Sequence, residues 1–470
     1  MKVNQPSRNS ENGVNKNRQR PNLSIFKSYD IRGIYPLELD EDKAFRIGQS
    51  FAEYLKRINP RPKNGVIAGR DSRISSPNIF DSIAKGILSA GIDVYDIGMV
   101  PTELVYFGVG NFKYDGGIMI TASHNPKEYN GAKMISKEKG RVEIIRGEDI
   151  AEIFYANSSF GKGEGRIRKK DIWQEYLKHL FSLVNFKKIK PQKMVLDASN
   201  GVAGEVLSRI ISKLPVKPVC LNFQPDGNFP GHAPNPLAKG AADAISNKVK
   251  EENADFGFIF DGDADRIFLI DEKGGLARAD VVLLMLARYF LEKNPGSAVS
   301  YNVVCSKAVP EFIKRWGGNP IRTKVGFVNV REGIIRENGV LGGEVSGHYC
   351  FRDNFYLDSG FMSFLTLLEI FSRSEKKVSE LVSELAVYFK DEISFEVNNK
   401  EKILEETKEK YAYGKQDFLD GITIEYKDWW FNLRPSQTEP LLRLTIEAQN
   451  QSLLEEKKKE LEFFIKEKNL

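Results

Sequence analysis

GVIAG at residues 65–69, PNIFDSIAKGILSA at 77–90 and DVYDIGM at 93–99 decide the fold. The first is a short apolar run closed by glycine at both ends, which reads as a buried strand. The second sets Ile79, Ile83 and Ile87 one turn apart, which predicts a helix. The third reads as the next strand, and GGIMI (116–120) as another. Strands linked by crossover helices build a parallel or mostly parallel sheet.

Working outward, the same rhythm returns twice. KMVLD (193–197), a helix and FGFIF (256–260) predict a second α/β unit. SAVSYNVVC (297–305), the helix AVPEFIKRW, PIRTKVG (320–326) and a helix leading into VLGGEVSGH (340–348) predict a third. After about residue 388 strands are followed by a single last helix, an α+β layout. Ser452 with Glu455 three residues on predicts a capping box for that helix. NSSFGKGEGRIRKK (157–170) is polar and Gly-rich and reads as a linker. The expected division is therefore a tail over 1–22, α/β domains over 23–165, 166–274 and 275–387, and an α+β domain over 388–470.

Charged residues make up 28% of the 470 and hydrophobic ones 41%, the profile of a globular protein. No run approaches the roughly 18 apolar residues of a membrane helix. Three separated cysteines, Cys220, Cys305 and Cys350, fit neither a disulfide framework nor a zinc site, so a reducing cytoplasm is expected. Most of the formal charge of +5 falls within residues 1–22, a basic stretch read as disordered. The rest is near neutral, and neither nucleic acid nor membrane is expected as a partner.

Four loops carry chemistry. TASHNP (121–126) follows GGIMI, where doubly wound folds place their ligands. Ser123 is a candidate nucleophile or phosphate carrier, with Lys133 close by as charge or base. A proline-ended polar turn would look the same. DGDADR (261–266) sets Asp261, Asp263 and Asp265 at alternate positions, able to converge on one hard cation. A calcium loop of the EF-hand type needs glycine where Arg266 stands, and here a strand precedes the loop. A dehalogenase-type site would expect Thr or Val in place of Asp265. GEVSGH (343–348) aims Glu344 and Ser346 one way from an extended segment, suited to sugar hydroxyls, with His348 adding a hydrogen bond or proton transfer. RPSQTEP (434–440) offers Arg434, Ser436 and Thr438 as an anion cradle. No nucleotide P-loop sequence is present.

TASHNP with YNGAK, DGDADR, GEVSGH and RPSQTEP, in that order, resemble the hallmark loops of the α-D-phosphohexomutase superfamily. YDIRG (29–33) resembles its opening motif. The resemblance runs from about Phe26 to near the C-terminus. It implies three α/β domains and a smaller α+β domain around a central cleft. It also implies a phosphomannomutase/phosphoglucomutase that interconverts hexose 1- and 6-phosphates through phosphorylated Ser123 and a bound hexose 1,6-bisphosphate. One Mg2+ per chain would be held by Asp261, Asp263, Asp265 and a phosphoserine oxygen. Arg32, Lys133 and Arg266 would supply positive charge, with Lys133 or His348 as general base. Tyr29, His124, Lys324, Glu344, Ser346, His348, Arg434, Ser436, Gln437 and Thr438 would bind substrate. A monomer or homodimer is expected.

GEVSGH differs by one residue from the GEMSGH associated with members acting on mannose and glucose phosphates. Gln437 for the commoner Asn, and GHAPNP (231–236) for NHHPNP, bear on substrate ranking. Phosphoglucosamine mutase is the alternative within the fold. An Asp-dependent phosphatase and a sugar-phosphate-binding protein without turnover are the alternatives outside it.

Overall fold

The computed structural model describes residues 25–60, 62–156, 163–436 and 441–469. The tail expected over 1–22 lies outside them, as do Gln437 and Thr438 of the expected phosphate loop.

The first sheet has seven strands: β1 (Ile31–Ile34), β2 (Val66–Arg70), β3 (Val94–Met99), β4 (Gly116–Ile120), β5 (Tyr129–Glu138), β6 (Arg141–Ile145) and β7 (Ile167–Lys169). Their order is β1-β5-β4-β2-β3-β7, with β6 on the far part of β5. β4, β2, β3 and β7 run parallel, while β5 runs antiparallel to β4. The helix expected at 77–90 spans Ser76–Ser89 and packs on the helix Glu41–Ile58. Their backbones meet at two glycines: a Cβ on Gly48 would lie 2.1 Å from the Ile83 carbonyl oxygen, and one on Gly86 as close to that of Phe45. Any side chain there would force the two helices apart.

The 157–170 stretch read as a linker departs from expectation where it is described. Ile167–Lys169 pair in parallel with Val94–Asp96, so the chain still belongs to the first sheet past residue 165. All three side chains of β7 are exposed, and backbone pairing with β3, helped by an Arg168–Asp93 ion pair at 3.4 Å, holds this edge, which is why its polar composition concealed a strand.

The second sheet orders β11 (Ile267–Asp271), β10 (Phe256–Phe260), β8 (Lys193–Asp197) and β9 (Lys217–Leu221), with β11 alone antiparallel. The third orders β13 (Asn319–Thr323), β12 (Ala298–Asn302), β14 (Leu341–Gly343), β15 (Tyr349–Phe351) and β16 (Leu357–Asp358). Its first three strands are parallel and the last two turn back. The fourth is wholly antiparallel: β17 (Phe389–Glu396), β21 (Leu441–Ala448), β20 (Trp429–Pro435), β19 (Ile422–Glu425) and β18 (Lys415–Asp417).

One continuous core runs through the first three units, from Ile67 to Leu385. The helices Ala279–Lys293 and Gly360–Arg373 lie at its centre, buried on nearly every face because their sequences are apolar nearly all round. The fourth unit keeps a separate core, from Phe395 to Ile465. Its last helix, Gln451–Lys468, is capped by Asn450, whose side-chain oxygen accepts the Leu453 N–H at 2.9 Å. The expected Ser452 box therefore gives way to a cap two residues earlier. Asn450 has the extended backbone that an N-cap needs, whereas Ser452 already lies inside the helix. No described helix is long and apolar enough to cross a membrane.

Candidate active site

Three of the four loops begin where a central strand ends: Ser123 beyond β4, Asp261 beyond β10 and Glu344 beyond β14. Strand ends are where backbone N–H and C=O groups leave the ladder and side chains can converge. Arg434 comes from β20 of the fourth unit.

Ser123 is fully buried and takes a left-handed backbone, φ 52°. Its Oγ donates to Asp261 Oδ2 at 3.2 Å and lies 3.3 Å from His124 Nδ1. Its N–H is held by Thr121 Oγ1 at 2.8 Å. Arg32 reaches the same loop, donating to Asn125 Oδ1 at 2.7 Å while anchored on Asp30 at 2.7 Å. Burial opposes the Arg32 charge, but Asp30 holds its pKa above the ordinary value.

Asp261, Asp263 and Asp265 are buried and offer oxygens within 4.8 Å of one another. Burial, then repulsion from Asp265 and Asp263, pushes the Asp261 carboxyl up to about 8. Asp263 Oδ1 and Asp265 Oδ1 are buried without a hydrogen-bond partner among the described residues. Crowded carboxylates with spare lone pairs fit a hard divalent cation. Lys133 extends from β5, directly across from Met119 of β4. Its Nζ donates to Asp263 Oδ2 at 2.7 Å and to Asp265 Oδ2. Burial would lower the Lys133 pKa, but Asp263 and Asp265 hold it well above the ordinary value. Thr102 Oγ1 also donates to Asp263 Oδ2, at 2.5 Å.

The third loop is a turn rather than the extended segment expected. Gly347 N–H returns to the Glu344 carbonyl at 3.1 Å, and β15 runs back antiparallel to β14. Curvature, with φ 87° at Gly347, brings the Glu344, Ser346 and His348 side chains together. Glu344 Oε1 lies 3.0 Å from His348 Nδ1 and accepts from Ser346 Oγ. Its Oε2 accepts from Asn302 Nδ2 and Gly326 N–H, each at 3.2 Å. Against burial, the His348 bond and charge, the Ser346 bond and the Arg266 charge bring Glu344 down to about 2. His348 Nε2 lies 3.2 Å from Arg266 Nε and 3.5 Å from Asp265 Oδ1. Burial and Arg266 oppose its charge, but Asp265 and Glu344 raise His348 to about 9. Tyr29 lines a small internal cavity beside Arg32, Lys133 and His348.

Above this floor lies a cleft of about 500 Å³, lined by His124, Arg266, Glu344, Ser346 and Arg434. The fourth unit adds Lys390 and Arg443 to its wall. Burial pushes the Arg434 pKa down, and its Nε has no partner among the described residues. Arg278 Nη2 is unpartnered in the same way. Donors left open in a cationic wall suit an anion. Lys324 stands apart: it is exposed at the end of β13, and its neighbour Val325 lines the cleft instead. Ser436 is buried, its N–H paired to the Leu441 carbonyl at 2.8 Å.

Sequence reasoning missed Asp71 and Arg73. Arg73 is buried, clamped by Asp71 at 3.0 Å, and donates to four carbonyls of the Ser123 loop: Ser123 and Asn125 at 2.7 Å, Pro126 at 2.6 Å and Tyr129 at 3.0 Å. The available signal was GRDSR (69–73), which begins at the carboxyl end of the strand that decided the fold. Asn302, Lys390 and Arg443 were missed as well, because each sits inside a strand whose pattern reads as structural.

Four segments match a known family: residues 23–159 "Phosphoglucomutase/phosphomannomutase, alpha/beta/alpha domain I", 174–275 domain II, 278–388 domain III and 392–462 its C-terminal domain. A phosphomannomutase of Vibrio cholerae is 37% identical over 457 residues, covering 94% of this chain and 98% of its own. A phosphomannomutase of Methanocaldococcus jannaschii is 36% identical over 451 residues, with the same coverage of both. A crystal structure of a phosphoglucomutase/phosphomannomutase family protein from Burkholderia thailandensis superposes with a TM-score of 0.85 at 31% identity, over 94% of this chain and 97% of that one. With all four domains matched in order and the two mutase relatives covered almost end to end, the chain belongs to the phosphoglucomutase/phosphomannomutase family and is an isomerase of the phosphohexomutase type.

Proposed function

We propose that the chain interconverts the 1- and 6-phosphates of mannose, glucose or both, with Ser123 as the phosphate carrier. One observation carries this reading: the buried Ser123 Oγ lies 3.2 Å from Asp261, while Lys133 bridges Asp263 and Asp265 beside it. A serine in a hydrolase triad would face a histidine backed by a carboxylate, whereas His124, 3.3 Å from Ser123 Oγ, makes no ion pair with a carboxylate among the described residues.

Phosphoserine 123 transfers its phosphoryl group to the free hydroxyl of a hexose monophosphate. The Oγ–P bond breaks as a sugar O–P bond forms, and the hydroxyl proton ends on Ser123 Oγ, giving a hexose 1,6-bisphosphate and free serine. The bisphosphate turns over in the cleft, and its other phosphate returns to Ser123, which restores the phosphoenzyme. Asp261, Asp263 and Asp265 would hold Mg2+, which would supply charge neutralisation for the phosphoryl group. Arg32, Arg266 and Lys133 add fixed positive charge around the serine. Lys133, held as a cation by Asp263 and Asp265, enters as a charge and a hydrogen-bond donor, and His348 hydrogen-bonds to Glu344 and accepts from Arg266 Nε at the floor of the cleft. Glu344 and Ser346 bind sugar hydroxyls, and Arg434 with Ser436 grips the phosphate that is not reacting. Lys324, which precedes the cleft residue Val325, and Thr438, four positions after Arg434 in the sequence, are proposed as further ligand contacts.

Peptide mass spectrometry tests the carrier, with phosphate expected on Ser123. Phosphate on Asp261 would instead identify a dehalogenase-type phosphatase. Assays with mannose, glucose and glucosamine phosphates, primed by a hexose bisphosphate, test the substrate. Turnover of glucosamine phosphate alone would overturn the mannose/glucose assignment.

A further inference from the structure

A second cavity, of 270 Å³, opens between the third and fourth units and shares no lining residue with the cleft. The helix Ala308–Arg315 and the ends of β12 and β13 form one side, and β18, β19 and β20 the other. Four cations line it: Lys307, Lys314, Arg322 and Lys415, against the single carboxylate Glu425. Arg322 is partly engaged, with Asp417 at 3.3 Å and Glu425 at 3.7 Å, and Lys415 lies 3.9 Å from Glu425. Lys307 and Lys314 make no ion pair with any described residue. Trp430 forms an apolar wall, its indole N–H turned away to Glu447 at 2.7 Å.

Like charges gathered in a concave site repel unless an anion joins them, and the aromatic wall lowers the local dielectric, which strengthens that attraction. The volume lies just below the range for small-molecule sites, about 300–1,000 Å³, which sets a size limit on the occupant. The floor is also connected to the cleft. Lys307 N–H donates to Glu447 at 2.9 Å, and Cys305 Sγ donates to Asn302 Oδ1 at 3.3 Å. Asn302 in turn donates to Glu344 of the sugar loop.

We propose that this cavity is a second ligand site, which takes a compact phosphorylated anion at the joint between the third and fourth units. Lys307 and Lys314 bind its phosphate as point charges, and its less polar part lies against Trp430.

Inorganic pyrophosphate, titrated calorimetrically into the full chain, probes the site. Wild-type protein is expected to bind it with a component that weakens at least about tenfold in Lys307→Gln/Lys314→Gln. Mutase turnover without pyrophosphate is expected to be unchanged in that variant, which also reports that it folds. Lys314→Gln alone, a change at an exposed side chain, is expected to fall between the two. An isotherm unaltered in the double variant overturns the proposal, because binding then belongs to the cleft. So does a wild-type protein that binds no pyrophosphate.

Discussion

Arg73 Nη2 donates to the carbonyl oxygen of Ser123 at 2.7 Å, and both residues are shielded from solvent. The bond fixes the backbone of the candidate phosphate carrier from behind, leaving its Oγ free to face Asp261. The same guanidinium holds three more carbonyls, so the loop is over-determined around one side chain. This offsets the left-handed backbone at Ser123, a conformation a serine rarely adopts unaided.

Arg73→Met is therefore expected to cost stability and rate together. Removing one partner of a buried, hydrogen-bonded charge costs about 3–5 kcal/mol. Loss of loop geometry is expected to lower kcat roughly 100-fold. Arg73→Lys keeps the charge but not the planar fork, and is expected to recover stability more than rate. Denaturant unfolding and a coupled mutase assay separate the two effects.

Ser123→Ala is the complementary case. Its Oγ makes only long contacts, 3.2 and 3.3 Å, so stability is expected to change by less than about 1 kcal/mol. Turnover is expected to vanish along with the phosphopeptide. Full turnover in that variant would remove the carrier assignment.

Metal removal tests the carboxylates. EDTA is expected to abolish turnover and lower Tm, and added Mg2+ to restore both. At a hundredfold excess over Kd a bound ion stabilises by about 2.7 kcal/mol. In Asp261→Asn the Mg2+-dependent rise in Tm is expected to disappear. Its metal-free Tm is expected to equal or exceed that of the wild type, since one of three repelling carboxylates is gone. Scanning calorimetry with and without Mg2+ reads both.

His232 sets a pH dependence of stability. Its Nε2 lies 3.2 Å from Asp197 Oδ2 and its Nδ1 2.8 Å from the Ala233 carbonyl, so both ring nitrogens face acceptors. Burial lowers its pKa, but the Asp197 bond and charge raise it above the ordinary 6.5. A raised histidine contributes its stabilisation fully below 6.5 and loses it as pH rises through the folded value. His348, raised to about 9, acts with the same sign. His232→Asn is therefore expected to unfold with a flatter pH dependence than the wild type above neutrality. The difference between the two proteins isolates His232, because His348 is common to both. Urea unfolding between about pH 6 and about pH 9 measures it.

The sequence by itself determined the strand-and-helix rhythm of GVIAG, KMVLD and SAVSYN, and with it three α/β units and a different fourth. Apolar period and glycine punctuation are local properties, so a window of residues suffices to read them. It also determined which residue types carry the chemistry, since Ser123 and the three aspartates sit in short contiguous loops. The tertiary structure alone decided what those residues meet. Lys133 reaches Asp263 and Asp265 across 130 and 132 residues. The polar β7 is an edge strand because β3 lies beside it, and GEVSGH is a turn because β15 folds back on β14. Arg73 holds Ser123 from 50 residues away. Such contacts form only when separate sheets pack, so their energy depends on burial and direction, which no local pattern encodes.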